Sequence, residues 1–409
     1  MRGGRATQGR WRQIADMGGM ALVAATVWLG WQVVREMAVE RLPAEQAIRL
    51  SPDSPAVLAR AAEAEFAESR YGFAGDLARQ SLGRAPFNVR ALRVLGLATA
   101  EGGQKPLADD MLTLAGNWSL RDDPSHAWLM NYRLSRGDYR SAFAHADTLV
   151  RRRDDLKPRF FRLFTVAASS DPRAIPVLAS FLAADPPWRP SYLSGLYQSE
   201  AGLALAANLA VALQSTRAPF SNSELATLYI QLLAKNRLAG IEAVRNRLGR
   251  PETGVALANG DFNAADGPLP FEWRLFNAGG AVAEILPDDL RGDSAIRAQF
   301  GSYASAPLAE QLIQLSPGRY RLSGETRAEV GDVGNRLSWV VYCQETGEKL
   351  GESRTPTTIG DATWKRFSFA FEIPTKSCAA QWLRLVPTPG DRRTTVVGWY
   401  DRFSIARRE

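Results

Sequence analysis

Three alanines, Ala74, Ala108 and Ala142, recur at a fixed interval of 34 residues, and Pro52 and Pro86 repeat the same interval. An interval of that length holds two helices of about a dozen residues each and two turns, so the chain must stack helix pairs. Small residues suit such stacking. Two helices of one unit cross closely while a third packs on both, and a large side chain at the crossing would hold the backbones apart.

The first full unit runs over 55–88 with Ala74, Ala78, Ser81 and Leu82 on its second helix, closed by Pro86. The second runs over 89–122 with Leu95-Gly96, Ala108, Leu112 and Ala115, and the third over 123–156 with Leu129, Gly137-Asp138-Tyr139, Ala142 and Ala146. Ala47, Leu50 and Pro52 read as the end of a preceding unit. The pattern resembles the tetratricopeptide repeat, although the aromatic that opens that family's unit is missing and Leu120 and Asp154 stand where it has a closing Pro. Further helix pairs are expected at 157–169 with 172–184, 188–201 with 203–216, and 221–236 with 238–248, so the α-solenoid covers 38–249. The resemblance implies a concave face that grips a protein segment, with Arg90, Arg93 and Asn131 as peptide-groove candidates. A merely solvated face is the competing reading.

Residues 17–34 form an uncharged run of 18 residues, preceded by a basic tail, 1–16, that carries Arg2, Arg5, Arg10 and Arg12. The run predicts a transmembrane helix, with Trp28 and Trp31 at an interface. The charge asymmetry then predicts a single-pass protein with its N-terminus cytoplasmic and its bulk outside; a bacterial inner membrane, with the bulk periplasmic, is the setting implied by the resemblance of the C-terminal domain given below. A cleaved signal peptide and a buried helix are the alternatives. The net charge is +7, and setting those four arginines aside leaves +3 for nearly 400 residues, which does not suit a nucleic-acid binder.

At Gly249-Arg250-Pro251 the composition changes. Short alternating strands follow at 320–328, 337–343, 365–373, 380–386 and 396–405, separated by turns such as Ser316-Pro317-Gly318 and Thr388-Pro389-Gly390. The fold class expected is therefore multidomain: a helical array, then an antiparallel β-sandwich or jelly roll over 255–409. The landmarks Asn259-Gly260-Asp261-Phe262, Trp273, Gly318 to Gly324, Trp364 and Trp399-Tyr400-Asp401-Arg402-Phe403 resemble jelly-roll, galactose-binding-like carbohydrate-binding modules. The resemblance implies a polysaccharide ligand, in a setting of surface polysaccharide assembly or export. It also implies a structural calcium ion held by Asp261 and Asp401, although Asn263 replaces an acid common in the family.

Strand alternation sorts the side chains. Leu337, Trp339, Val341 and Cys343 share one face, as do Leu383 and Leu385, and the Phe residues of 365–373 belong to the core. Tyr342, Trp382, Arg384, Arg321, Arg327 and Glu325 point the other way. Together they would stack a sugar ring and bond its hydroxyls, or else pack this face on the helical array or a partner. Asp401 reads as an inward residue beside Trp399, Phe403 and Ile405. Cys343 and Cys378 are disulfide candidates. The chain has two His and two Cys and lacks G-x-S-x-G, P-loop, G-x-G-x-x-G and H-E-x-x-H motifs. His126 and His145 fall among the repeats and read as surface or helix-contact residues. The expected protein is non-catalytic, with a protein partner for its helices. A purely structural scaffold and a glycan-processing enzyme are the alternatives.

Overall fold

The computed structural model describes residues 25–31, 34, 41–249 and 257–408, apart from short segments at 265–266, 290, 302–304, 331–334, 354–362 and 392–393. The chain divides into two compact units, Met1–Phe160 and Phe161–Glu409.

The first unit is built from α1 (Ala44–Leu50), α2 (Pro55–Ala67), α3 (Tyr71–Arg84), α4 (Val89–Glu101), α5 (Lys105–Trp118), α6 (Asp123–Ser135) and α7 (Tyr139–Val150). Helices α2, α4 and α6 start at residues 55, 89 and 123, and α3, α5 and α7 at 71, 105 and 139. Both series keep the 34-residue step. Ala74, Ala108 and Ala142 are fully buried, as are Ala78, Leu112 and Ala146 at the next turn of the same helices. Gly96 shows why the crossings demand small residues. A Cβ there would lie 2.8 Å from Cγ of Leu112 and 3.3 Å from Cβ of Met111. Asn88 caps α4 by accepting the Ala91 N–H at 3.2 Å. Its amide and the Ser81 hydroxyl also reach the Pro55 carbonyl, tying one helix pair to the next.

One expectation is corrected here. No helix of the described residues is long and apolar enough to cross a membrane, so the single-pass inner-membrane placement is not supported. Most of the run 17–34, and all of the basic tail, lie outside the described residues.

The second unit opens with α8 (Lys157–Ser170), which begins at the end of the first unit, and continues with α9 (Ala174–Leu182), α10 (Arg189–Leu196), α11 (Glu200–Leu213), α12 (Asn222–Ala234) and α13 (Leu238–Arg247). Ser221 and Glu224 form a reciprocal capping box at the start of α12. The helix expected over 188–201 ends earlier, at Leu196. Ser199 takes the N-cap of α11 and accepts the Gly202 N–H at 3.0 Å. A Cβ on Gly202 would lie 2.1 Å from the Leu196 carbonyl oxygen, so only glycine lets α11 start there. Arg189 is 4 % exposed. Its five N–H donors reach both carboxylate oxygens of Glu224 and the carbonyls of Leu182, Ala218 and Pro219.

The strands follow as β1 (Arg274–Leu275), β2 (Asn277–Ala278), β3 (Ala281–Pro287), β4 (Ser294–Phe300), β5 (Ala309–Ile313), β6 (Gly318–Val330), β7 (Arg336–Cys343), β8 (Lys349–Glu352), β9 (Lys365–Ile373), β10 (Gln381–Thr388) and β11 (Val396–Arg407). They form two antiparallel sheets, β1-β5-β10-β7-β8 and β2-β3-β4-β11-β6-β9. The core between them holds Trp273, Trp339, Val341, Leu383, Leu385, Leu322, Phe369, Phe371, Tyr400 and Phe403. Helices of the same unit pack on the start of the sandwich. Phe271 meets Tyr229 of α12 edge-on and lies under Arg245 of α13, whose guanidinium carbon is 3.7 Å from the ring centroid.

The opening segment 259–263 is fastened by its backbone. The Gly260 carbonyl accepts the Phe403 N–H at 2.8 Å, and the Asn259 carbonyl accepts the indole N–H of Trp273 at 3.0 Å. A Cβ on Gly260 would stand 2.3 Å from the Phe403 carbonyl oxygen. Glycine is therefore required for this segment to lie on β11.

Candidate functional site

The two sheets present two outward faces. On the sheet containing β10, Trp382 lies opposite both Tyr342 of β7 and Leu312 of β5, and Arg384 lies opposite Val340 and Glu310. Val340 and Leu312 are buried and form an apolar floor. Both rings above it are half-buried. The Arg384 guanidinium carbon sits 5.0 Å from the Trp382 ring centroid and 5.9 Å from that of Tyr342. Its Nε donates to Glu310 at 2.8 Å. Glu310 is 1 % exposed and also holds Arg274, so a buried carboxylate fixes two guanidinium groups on the surface. The Trp382 indole N–H donates to Gln344. Among the described residues the Tyr342 hydroxyl and the two terminal nitrogens of Arg384 make no hydrogen bond.

Arg321, Glu325 and Arg327 belong to β6, in the other sheet. The six residues grouped from alternation therefore do not share a face, because alternation separates inward from outward but does not say which sheet a strand joins. On this second face the charges are committed to one another. Arg327 donates to Asp288 at 3.0 Å, and its guanidinium carbon lies 4.7 Å from the Trp399 ring centroid. Trp364 donates to the second oxygen of Asp288 at 3.0 Å and is covered by Arg291, 4.2 Å from its centroid. Trp399 donates to Glu329 at 2.7 Å. Hydrogen bonds from Arg297 and then Trp399 hold the Glu329 carboxyl below the usual carboxylate range. Arg321 stands apart, donating to Ser368 at 2.9 Å.

Asp401 lies on this outward side, opposite Glu325, rather than inward. The register shifts between Asp401 and Ser404, where Arg402 adopts a φ of 55°, and the bulge returns Phe403 to the core. Asp401 is 1 % exposed and faces Arg291 at 3.5 Å and Arg402 at 3.7 Å. Burial raises its pKa, with the nearby Asp293 charge adding to the effect against the two arginines. Asp261 is exposed on the opening turn. Among the described residues, the group of three potential metal-ligating side chains is Cys343, Glu345 and Cys378, and it includes neither aspartate.

In the helical array Arg93 is half-buried, pairing with Glu63 of α2 and with the buried Asp122 that precedes α6. Arg90 lies 3.4 Å from the same Glu63. These arginines link successive helix pairs; Arg90 and Asn131 are exposed, and Arg93 is not. His126 and His145 face each other, Nδ1 to Nδ1 at 2.9 Å. Arg133 offers only donors to His145 Nε2 at 3.3 Å. His145 therefore carries its hydrogen on Nδ1 and donates to His126. Burial, then the charge of His126 and Arg133, pushes His145 down to about 4, and burial lowers His126 as well. Sequence reasoning placed both histidines on helices; their meeting across 19 residues had no local signal.

No protein-family model matches the chain, and a search of curated proteins gives no match. Similar solved structures match the C-terminal sandwich. One described as "CBM4 structure and function" has 16 % identity, covers 37 % of this chain and 99 % of its own, and has a TM-score of 0.28. TmCBM61 in complex with β-1,4-galactotriose has 18 % identity, coverages of 38 % and 100 %, and a TM-score of 0.27. The CBM22-2 xylan-binding domain of Paenibacillus barcinonensis Xyn10C has 15 % identity, coverages of 36 % and 98 %, and a TM-score of 0.26. A Stig cyclase from Fischerella sp. matches at a TM-score of 0.27, so scores of this size carry no argument about ligand.

Proposed function

We propose that the protein binds a carbohydrate chain, without cleaving it, on the outward face formed by β5, β7 and β10. The observation that supports this reading is the register pair Tyr342–Trp382 with Arg384 over both rings and Glu310 anchoring that arginine. The faces of the two rings offer flat apolar surface to a pyranose. The free Arg384 nitrogens and the Tyr342 hydroxyl supply directional bonds to its hydroxyls, and prior anchoring of Arg384 lowers the entropy cost of ordering it on binding. The helical array, whose step matches that of tetratricopeptide repeats, would take a protein segment of its own.

Glycan-array and affinity-electrophoresis measurements on the full chain test the first reading. Retention of at least one polysaccharide, lost in Trp382→Ala, is expected; no retained glycan would sink it in favour of a purely structural scaffold. Turnover of a retained polysaccharide would replace it with a processing enzyme.

A further inference from the structure

Cys343 closes β7, and Cys378 stands on the loop between β9 and β10; the two are joined as a disulfide with Cα atoms 5.4 Å apart. Glu345 stands over the pair. Its Oε1 accepts the Ala379 N–H at 2.9 Å, which leaves Oε2 at 3.4 Å from Cys343 Sγ. The Ser377 carbonyl oxygen lies 3.1 Å from the same sulfur. In the disulfide neither sulfur carries a hydrogen, so two electron-rich oxygens converge on a sulfur that has nothing to donate. Both sulfurs and a carboxylate oxygen of Glu345 lie within 4.8 Å of one another. Glu345, Ser377 and Cys378 also line a cavity of about 560 Å³, whose charged lining residues, Glu242 and Glu345, are both acidic.

We propose that the reduced form of this pair, with Glu345, is a binding site for a thiophilic divalent cation of the zinc class. A dithiol or phosphine reductant supplies two electrons, the S–S bond breaks, and each sulfur takes one proton while the reductant is oxidised. Binding the cation then releases both thiol protons to solvent and leaves two thiolates and one carboxylate as ligands. Tetrahedral zinc with Zn–S bonds of about 2.3 Å separates its sulfurs by roughly 3.8 Å, a distance the 5.4 Å Cα separation accommodates. The Ala379 N–H orients the carboxylate, as outer-shell donors do at metal centres. Three protein ligands leave the fourth position to water or to a ligand entering from the cavity. Oxidation to the disulfide removes two of the ligands, so metal binding and disulfide formation exclude each other.

The full chain, reduced with a phosphine and freed of it under anaerobic conditions, is gel-filtered after addition of zinc chloride. About one zinc ion per reduced chain and none per oxidised chain is expected, together with protection of both thiols from iodoacetamide. Cadmium should give a thiolate charge-transfer absorption. Glu345→Gln should weaken zinc binding at least tenfold while leaving the circular dichroism of the sandwich intact. The proposal is overturned by a reduced chain that retains no zinc, by zinc that leaves the thiols open to alkylation, by binding only to an unfolded chain, or by unchanged affinity in Glu345→Gln.

Discussion

The two outward faces of the sandwich use the same chemistry to opposite ends. Each carries tryptophan, arginine and a buried carboxylate. Around β6 and β11, Asp288 binds Arg327 and Trp364, and Glu329 binds Trp399 and Arg297, so most of the polar groups pair among themselves, with Arg327 Nε left without a hydrogen bond. Around β7 and β10, the carboxylate of Glu310 fixes Arg384 by one nitrogen and leaves the rest of that guanidinium, and two half-buried rings, facing outward. Residue type alone therefore does not mark a binding face; what distinguishes the two is how many of the polar groups already have partners.

This contrast breaks most readily where the closed face is opened. Arg327→Ala removes one of the partners of the fully buried Asp288 and should cost about 3 kcal/mol of sandwich stability, read by urea unfolding. A loss under about 0.5 kcal/mol would show that the ladder on this face is ornamental. Trp399→Ala, on the same face, should cost about 3 kcal/mol yet leave glycan retention unchanged at a temperature where the variant is folded. Trp382→Ala should do the reverse. Its loss is about 2 kcal/mol of binding, roughly thirtyfold in Kd by calorimetry, with a melting temperature close to that of the parent. If Trp399→Ala abolishes binding and Trp382→Ala does not, the two faces have been assigned the wrong way round.

The smallest expected effect sets the sandwich against the first unit. His145 is held neutral, down to about 4 in the folded state against an unfolded value near 6.5. The unfolded chain thus binds more protons between those values, and the stability of the helical repeats falls as pH drops through that window. Lowering pH from 7 to 5 should reduce the first unit's melting temperature by about 5 °C. The shift should shrink in His145→Gln, leaving the part that the lowered His126 contributes. An unchanged profile in that variant would assign the pH dependence elsewhere.

Much of the helical array is legible because each of its signals is local. The burial of Ala74, Ala108 and Ala142, the close approach at Gly96 and the cap at Ser221 all arise within one or two helix pairs. Strand β9 shows clean alternation and is equally readable. Strands β3, β4 and β5 are not. The β5 sequence Ala-Glu-Gln-Leu-Ile is buried throughout, and its polar members are satisfied at a distance. Gln311 takes both backbone groups of Ala258, and Glu310 takes Arg274 and Arg384. The bulge at Arg402 reverses the parity of one strand and with it the side on which Asp401 lies. The division of the candidate face between two sheets is a matter of strand order, which no pattern within a strand encodes.

The Gly260–Phe403 contact places the first turn of the sandwich against its last strand. Chain therefore enters and leaves this module at nearly one point, like a bead tied by a single knot. Such a module can be carried by a host protein without spreading the host's own ends. Tension applied through the C-terminal flank would load the pairing of residues 404–407 with β6 first, and the knot at Phe403 after it.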